Sequence, residues 1–391
     1  MLGSGFTALG VLRNLAAAGV VAYLVIDVPD LTKSSRWYRP APGAEDKKPT
    51  PGTLATFLEG LPIDRAVLVP CSDHWTVAAA GLPAALIHRF PRSLPTPSAL
   101  VTLTDKAAFG DFCARAGIPR PDTWLIDHPE VLGDLPEAAF RNAFLKPRDS
   151  QAFVARVGVK ALHVADRADA IRLATHYAAK GFKLILQRYV AGPASNHYFV
   201  DGFVDRHGDA SAVFVRRRLR MYPTDFGNSS YMVSVPAAEA APAVESVRRA
   251  LAQLDYRGVF SAEFKRDADD GAFRVLEINP RPWWYVRFAA QCGMNLCGRA
   301  YADALGQSPP PANAYRVGRG CMHVHYDYFA CRELLRTGQV SRRSWLWSWL
   351  TSHKAAFEWN DPLPACVDVA RILGRALRHR LLHADPPSQR S

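Results

Sequence analysis

Two apolar segments joined by a short acidic turn constrain the fold of this chain more than any other feature. Residues 259–264 and 273–278 are rich in Val, Phe, Leu and Ile, and the turn 267–271, Asp-Ala-Asp-Asp-Gly, lies between them. Such a pattern is typical of an antiparallel β-hairpin. Both segments also contain a glutamate, and an unpaired carboxylate is costly to bury. The hairpin is therefore expected to carry a binding site.

The charged and amide side chains of this hairpin form a set, Glu263, Glu277, Asn279 and Arg281. Successive side chains of a strand point to opposite faces, so Glu277 and Asn279 share a face, to which Glu263 adds a second carboxylate from the paired strand. Carboxylate and amide oxygens suit Mg²⁺, and a guanidinium beside them suits a phosphate. We predict a magnesium site from Glu263, Glu277 and Asn279; the alternative is a solvated, exposed hairpin face.

The rest of the chain alternates between strand and helix patterns, which indicates an α/β fold class. A helix follows the glycines of Gly3-Ser-Gly5, Thr104 is expected to cap a helix that carries Lys106, and another helix starts at Pro242. The strand patterns lie at 20–28, 66–70, 124–126, 143–146, 162–164, 183–189, 197–204 and 211–218.

The charge balance points to an anionic partner. The chain has 48 Lys and Arg against 36 Asp and Glu, a formal net charge of +12 at pH 7. Nucleic acid, a membrane surface and a phosphorylated small molecule all fit such an excess. Because the arginines are spread over several segments without a recognised nucleic-acid-binding module, we expect no nucleic-acid partner.

Cysteine usage and hydropathy indicate a cytoplasmic protein. The seven cysteines are an odd number without a CxxC pair, which favours reduced, buried thiols. No apolar segment approaches the roughly 18 residues that span a bilayer, and the first residues lack the features of a signal peptide. We therefore expect no transmembrane segment.

Three further motifs precede the hairpin in order. They are Thr104-Asp-Lys106, Phe144-Leu-Lys146-Pro147 and Leu186-Gln187-Arg-Tyr-Val190-Ala-Gly192. Together with Glu263…Glu277-Ile-Asn279-Pro-Arg281, this series resembles the ATP-grasp superfamily, and within it the carboxylate–amine ligases, which include D-aspartate ligase-like enzymes. The resemblance covers about residues 3–305.

The resemblance implies an architecture of three parts. A Rossmann-like pre-ATP-grasp α/β domain would occupy residues 1–100, and a two-part α+β ATP-grasp body would occupy 101–307, with its lid at about 120–190. A mainly helical C-terminal cap would follow at 308–391. The stretch after Lys146 contains one glycine where the family's lid is glycine-rich, and Ser150 is a candidate phosphate contact there.

The resemblance also implies roles for single residues. Lys106 and Lys146 would bind the phosphates of ATP, Gln187 and Val190 would mark the hinge beside adenine, and Asn196 would lie near the ribose. Mg²⁺, or Mn²⁺ in its place, would be the metal.

Arginines would complete the catalytic set. Arg216, Arg218 and Arg220 alternate along one strand face, and related ligases place a basic residue there to hold the transferred phosphoryl group and the substrate carboxylate. We predict that Arg216 and Arg218 act together with Arg281. A solvated basic strand face is the alternative.

The implied function is ATP-dependent amide or peptide bond formation between a small carboxylate and an amine, through an acyl phosphate. One alternative is an ATP-grasp enzyme that phosphorylates or cyclises a small molecule. Another is an NAD(P)-dependent oxidoreductase that uses Gly3-Ser-Gly5, although packing is the expected role of those glycines. An oligomer is possible.

Three features allow a second interpretation. Cys321, His323, His325 and Asp327 would share a face if they lay on a strand, although we do not predict a metal site there. The segment Trp345–Trp349 and the following arginines could contact anionic lipid, but a packed helical cap is favoured. Residues 283–285, Trp-Trp-Tyr, could line an acceptor pocket or pack in the core.

Overall fold

The computed structural model describes residues 1–25, 30–44, 49–148, 153, 156–210, 212–224, 227–309, 311–312 and 314–382. Asp27, Ser150 and most of the stretch that follows Lys146 lie outside the described residues.

The N-terminal region is built on short parallel extended segments. Leu2 bridges Val25 on one side and Pro70 on the other, and Leu24 bridges Pro40. The segment predicted at 20–28 thus pairs at residues 24 and 25, and Leu2 lies between it and the segment that ends at Pro70. The helices of this region are α1 (Gly5–Ala17), α2 (Leu54–Glu59), α3 (Asp73–Ala80) and α4 (Ala84–Ile87).

The two N-terminal glycines serve packing and chain geometry. Gly3 has a φ of +122°, and a Cβ built there would lie 3.1 Å from the Cβ of Cys71. The backbone N–H of Gly5 donates to Oδ2 of Asp30 at 2.9 Å. A carboxylate therefore already satisfies the start of α1, where a pyrophosphate would otherwise be expected.

Two helices connect this region to the rest of the molecule, α5 (Pro97–Thr104) and α6 (Lys106–Arg115). The prediction that Thr104 caps the Lys106 helix is wrong: Thr104 ends α5, and the carboxylate of Asp105 accepts from the N–H groups of Ala107 and Ala108 at 2.9 Å. Asp105 is favoured because its side chain satisfies two N–H groups that lack helical partners.

The region predicted as the lid contains a four-stranded antiparallel sheet in the order β1-β4-β2-β3, which we call the lid sheet. Its inner face packs against its own hydrophobic core, which includes Leu145 and Leu186, so the alternate positions Lys146 and Gln187 lie on the other face. Its elements are β1 (Thr123–Ile126), β2 (Ala143–Pro147), β3 (Leu162–His163), α7 (Arg167–Ala178) and β4 (Leu184–Arg188).

The body is a seven-stranded sheet in the order β11-β10-β7-β6-β5-β8-β9. The predicted hairpin is confirmed as β8 and β9, whereas no sequence pattern predicted β7. The strands are β5 (His197–Val204), β6 (Ala212–Tyr222), β7 (Asn228–Ser234), β8 (Gly258–Arg266), β9 (Phe273–Asn279), β10 (Gly320–Met322) and β11 (His353–Lys354).

The two faces of this sheet contact different partners. One face packs on a core shared with α6 and α8 (Ala241–Gln253). The opposite face packs, along part of its length, against α1, α9 (Val286–Gln291) and α10 (Leu296–Ala304). Polar and charged side chains occupy the remainder of that second face.

The C-terminal region is continuous with the sheet, because β10 pairs with β7 and β11 pairs with β10. Its helices are α11 (Val324–Arg336), α12 (Arg342–Thr351) and α13 (Leu363–Leu382). The strand considered for Cys321 to Asp327 does not form, because His323 precedes α11 and Asp327 lies on it. Among the described residues, no helix combines the length and apolarity needed to cross a bilayer.

Candidate active site

A cleft of about 790 Å³ separates the lid sheet from the end of the β8–β9 hairpin. Lys146 and Gln187 line it from the lid, and Glu277, Asn279 and Arg281 line it from the hairpin. The structure thus brings two distant sequence motifs to opposite walls of one cleft.

Cations predominate around this cleft. Lys106 also lines it, and its Nζ donates to the backbone carbonyls of Pro147 at 2.7 Å and Arg148 at 2.5 Å. These hydrogen bonds place the Lys106 ammonium at the end of β2, the strand that carries Lys146. The two predicted phosphate-binding lysines therefore share one end of the cleft.

Two cleft arginines were not identified from the sequence. Arg148 lines the cleft and pairs with Asp105 at 3.4 Å, and Arg120 lines it beside α6. A Cβ at Gly110 would lie 2.8 Å from Nη1 of Arg120, so the glycine provides the room for this guanidinium. Neither arginine belongs to a periodic pattern in the sequence. The glycine at position 110 of α6 is the one local feature that could have indicated a side chain packed against this helix.

The predicted metal ligands converge. Glu263 and Glu277 are directly opposite each other on β8 and β9, and Asn279 is opposite Ser261. The Nδ2 of Asn279 donates to Oε1 of Glu277 at 2.9 Å, which fixes the amide beside the carboxylate.

Glu263 has two close partners. His197 Nδ1 donates to its Oε1 at 2.8 Å, and Nη2 of Arg218 donates to the same oxygen at 2.9 Å. Burial raises the pKa of Glu263, but the Arg218 guanidinium and the His197 hydrogen bond outweigh it, so the net pKa lies well below the ordinary value. Burial lowers the pKa of His197 to about 4, so its ring is neutral at pH 7.

These donors fit a divalent cation. In the described part of the chain, the hydrogen bonds to the Glu263 and Glu277 carboxylates go to Oε1, which leaves Oε2 of each available as a hard ligand. No cluster of three or more His, Cys, Asp and Glu suited to a metal occurs among the described residues. A two-carboxylate site that relies on water and phosphate for its other ligands is the arrangement typical of Mg²⁺.

Arg281 is held from the N-terminal region. Its Nε and Nη2 donate to the two carboxylate oxygens of Asp73 at 2.7 and 3.0 Å, and Nη2 also reaches Oδ1 of Asn279 at 3.3 Å. Asp73 is the first residue of α3. The guanidinium therefore lies where the N-terminal region and the hairpin meet.

Arg216 lies deeper than Arg218. Its Nε donates to Oδ2 of Asp201 at 2.6 Å, and the side chains of this pair are 3% and 0% exposed. Neither Arg216 nor Arg218 is among the residues that line the cleft. The prediction that Arg216 contacts the transferred phosphoryl group stays a prediction, and in this structure its guanidinium is committed to Asp201.

The residues predicted at the hinge and the ribose, Gln187, Val190 and Asn196, have different surroundings. Gln187 lines the cleft and donates to Thr123 at 2.9 Å, whereas Val190 is buried. The Nδ2 of Asn196 donates to the carbonyl of Arg266 at 2.9 Å, which ties it to the end of β8. The roles predicted for these three residues at the base and ribose stay predictions.

Lys160 reaches from the lid towards the metal ligands and was not identified from the sequence. Its Nζ donates to Oδ1 of Asn228 at 2.6 Å. Burial lowers its pKa, while the charges of Glu263 and Glu277 oppose that shift, so the ammonium lies within electrostatic range of both carboxylates. Lys160 is exposed, and no local pattern distinguishes it from the other lysines of this region.

Sequence comparison gives one distant relative. D-aspartate ligase from Enterococcus faecium (strain Aus0004) is 22% identical over 251 residues, which are 62% of this chain and 59% of the relative. The chain thus matches less than two thirds of that relative's length. No protein-family model matches the chain.

Comparison with solved structures identifies the fold. Carboxyaminoimidazole ribonucleotide synthase from Aspergillus clavatus, solved with ATP, aligns with a TM-score of 0.61 at 15% identity over 82% of this chain and 79% of that one. The biotin carboxylase domain of the Hydrogenobacter thermophilus 2-oxoglutarate carboxylase, solved with MgADP, aligns at 0.59 with 14% identity over 82% and 72%. The chain has the ATP-grasp fold, and the fold expected from the motifs is confirmed.

Proposed function

We propose that this chain is an ATP-dependent ligase that activates a carboxylate as an acyl phosphate and joins it to an amine. The observation that carries the proposal is the cleft in which Lys106 and Lys146 approach from one wall and Glu277 and Asn279 from the other. A relative named D-aspartate ligase and a structural neighbour solved with ATP support it.

The lysines and arginines of the cleft would bind the triphosphate. Compact ammonium groups at Lys106 and Lys146 neutralise phosphate oxygens, and Arg148 adds a planar guanidinium at the same end. Mg²⁺, or Mn²⁺ in its place, would be held by Glu263, Glu277 and Asn279 and would neutralise charge on the phosphates.

Phosphoryl transfer depends mainly on position and electrostatics, so the reaction needs no protein nucleophile. A substrate carboxylate oxygen bonds to the γ-phosphorus and ADP leaves; the amine then bonds to the acyl carbon, loses a proton and displaces phosphate. We assign the stabilisation of developing charge to Arg281 and Arg218, which touch the proposed ligands Asn279 and Glu263.

The experiment is a screen of amino acids and small acids for stimulated ADP and phosphate release, with mass spectrometry of the products. A new amide in the stimulated mixtures supports the ligase. A phosphorylated or cyclised product without an amide favours the alternative ATP-grasp chemistry, and an absence of ADP with every substrate contradicts the proposal.

A substitution in the hairpin tests the site within the same assay. Glu277→Ala should lower ATP turnover by about 100-fold or more, because the carboxylate is a proposed ligand of Mg²⁺. The unfolding temperature should change little, because this carboxylate is exposed. The matched control is Asp269→Ala, which removes an exposed carboxylate from the turn of the same hairpin. Near-normal phosphate release by Glu277→Ala would contradict the metal assignment.

Other expectations stay predictions, namely the domain boundaries at 100/101 and 307/308, a cytoplasmic location and an oligomeric state.

A further inference from the structure

Four aromatic rings from separate parts of the chain gather beside the hairpin. They are Phe6 on α1, Trp284 after Arg281, and His323 and Tyr326 at the start of α11. The ring centroids of Phe6 and His323 are 4.7 Å apart, those of His323 and Tyr326 are 4.6 Å apart, and Trp284 lies parallel to Tyr326 with centroids at 6.2 Å. We call this group the aromatic wall.

Solvent exposure separates Trp284 from its neighbours. Trp283 and Tyr285 are each 6% exposed and pack in the core between the sheet and α1, whereas Trp284 is 38% exposed. Core packing, one of the two interpretations of this segment, therefore applies to Trp283 and Tyr285. Trp284 is exposed to solvent and remains a candidate for the acceptor pocket.

His323 supplies a polar atom that lacks a partner. The residue is 6% exposed, and in the described part of the chain no hydrogen bond reaches its Nδ1. Backbone bonds to Ser230 and Asp327 fix the residue's position. A buried polar atom without a partner costs free energy, so packing against the neighbouring rings, and not a hydrogen bond of Nδ1, holds the imidazole in the aromatic wall.

The aromatic wall is connected to the proposed reaction centre. The Tyr285 hydroxyl, next in sequence to Trp284, donates to the Ser229 carbonyl. The Ser229 hydroxyl accepts from Nε of Arg218 at 2.8 Å, and Arg218 donates to Glu263. Trp284 is also three residues beyond Arg281, which contacts Asp73 and Asn279.

We propose that the aromatic wall binds the amine substrate and that this amine carries a flat aromatic or heteroaromatic group. A flat ring can contact the exposed part of Trp284, either stacked or edge-on, and both arrangements add to the free energy of apolar burial. This inference rests on the proposed function, because it assigns the second substrate of that reaction.

The experiment measures binding to the full chain by calorimetry in the presence of MgADP. The probes are L-tryptophan, L-tyrosine, L-histidine and tryptamine, with L-leucine and L-aspartate as non-aromatic comparisons. At least one aromatic amine should bind, and Trp284→Leu should weaken that binding by about tenfold, equivalent to about 1.4 kcal/mol. Trp284→Phe retains a ring and should stay within about threefold of the unchanged protein.

The matched control is Trp347→Leu, because Trp347 is 69% exposed on α12, outside the aromatic wall. This variant should bind the same probe as the unchanged protein does, and all variants should bind MgADP equally. The inference is overturned if no aromatic amine binds, if L-leucine or L-aspartate binds as tightly, or if Trp284→Leu has no effect. Failure of MgADP to bind would instead overturn the proposed function, so the two failures are distinguishable.

Discussion

Three arginines on one face of β6 have different partners and different surroundings. Arg216 and Arg220 are each paired with a fully buried aspartate, Asp201 and Asp327. Arg218, between them, is paired with Glu263, the carboxylate that faces Glu277 across the hairpin. The outer two pairs are closed inside the protein, and the middle pair lies at the proposed metal site.

The difference teaches that one sequence pattern serves two purposes. A buried ion pair contributes little net stability, but loss of one partner is strongly destabilising because the other charge stays buried. The Arg216–Asp201 pair therefore joins two strands of the sheet and the Arg220–Asp327 pair joins the sheet to α11, while the middle pair orients a carboxylate. We expect the two kinds of pair to respond differently to substitution.

The largest effect is expected in a closed pair. Asp327 accepts from Arg220 at 2.8 and 3.1 Å and from the indole nitrogens of Trp345 and Trp349 at 3.2 and 2.9 Å. Asp327→Ala should lower the free energy of unfolding by about 3–5 kcal/mol, measured by urea denaturation, because the Arg220 guanidinium would stay buried without its charge partner.

The control is Asp270→Ala, which breaks an exposed ion pair with Arg274 and should change the free energy of unfolding far less than Asp327→Ala does. Equal losses for Asp327→Ala and Asp270→Ala would remove the distinction between closed and exposed pairs.

Conservative substitutions of neighbouring arginines test the comparison directly. Arg218→Lys should lower ATP turnover by about 100-fold with a small change in stability, because a lysine cannot donate to Ser229 and Glu263 in the same geometry. Arg216→Lys should lower the unfolding temperature and leave the turnover of the folded protein within about threefold. The reverse result would favour Arg216 over Arg218 as the arginine that contacts the transferred group.

Acid should lower the free energy of unfolding through His323, which lies close in sequence to Asp327 of the Arg220–Asp327 pair. Burial lowers the pKa of His323, which precedes α11, from its ordinary value of 6.5 to about 4. In the window between pH 6.5 and 4 the unfolded chain binds the proton and the folded chain does not, so stability falls as the pH is lowered. At pH 5 this histidine should account for a loss of about 2 kcal/mol relative to pH 8.

The check compares urea denaturation of the unchanged protein and of His323→Phe at both pH values. The variant should lose about 2 kcal/mol less than the unchanged protein between pH 8 and pH 5. Parallel losses would show that His323 is not the group that titrates.

The sequence by itself determined the local chemistry. The period of two along β9 brings Glu277 and Asn279 to one face, and the acidic turn sets the hairpin that brings Glu263 opposite. The alternation of strands and helices, together with the ordered motifs, was sufficient for the ATP-grasp fold. These features depend on residues close in sequence, which is why they could be predicted.

Only the tertiary structure decided which charges face each other. Arg281 meets Asp73 across 208 residues of sequence, Arg220 meets Asp327, and Lys160 reaches Asn228 from the lid. Partner choice for an ion pair depends on strand order, register and burial, and no local period encodes those quantities. The same reason separates Arg216 from Arg218, two residues alike in type and strand face whose surroundings come from distant parts of the chain.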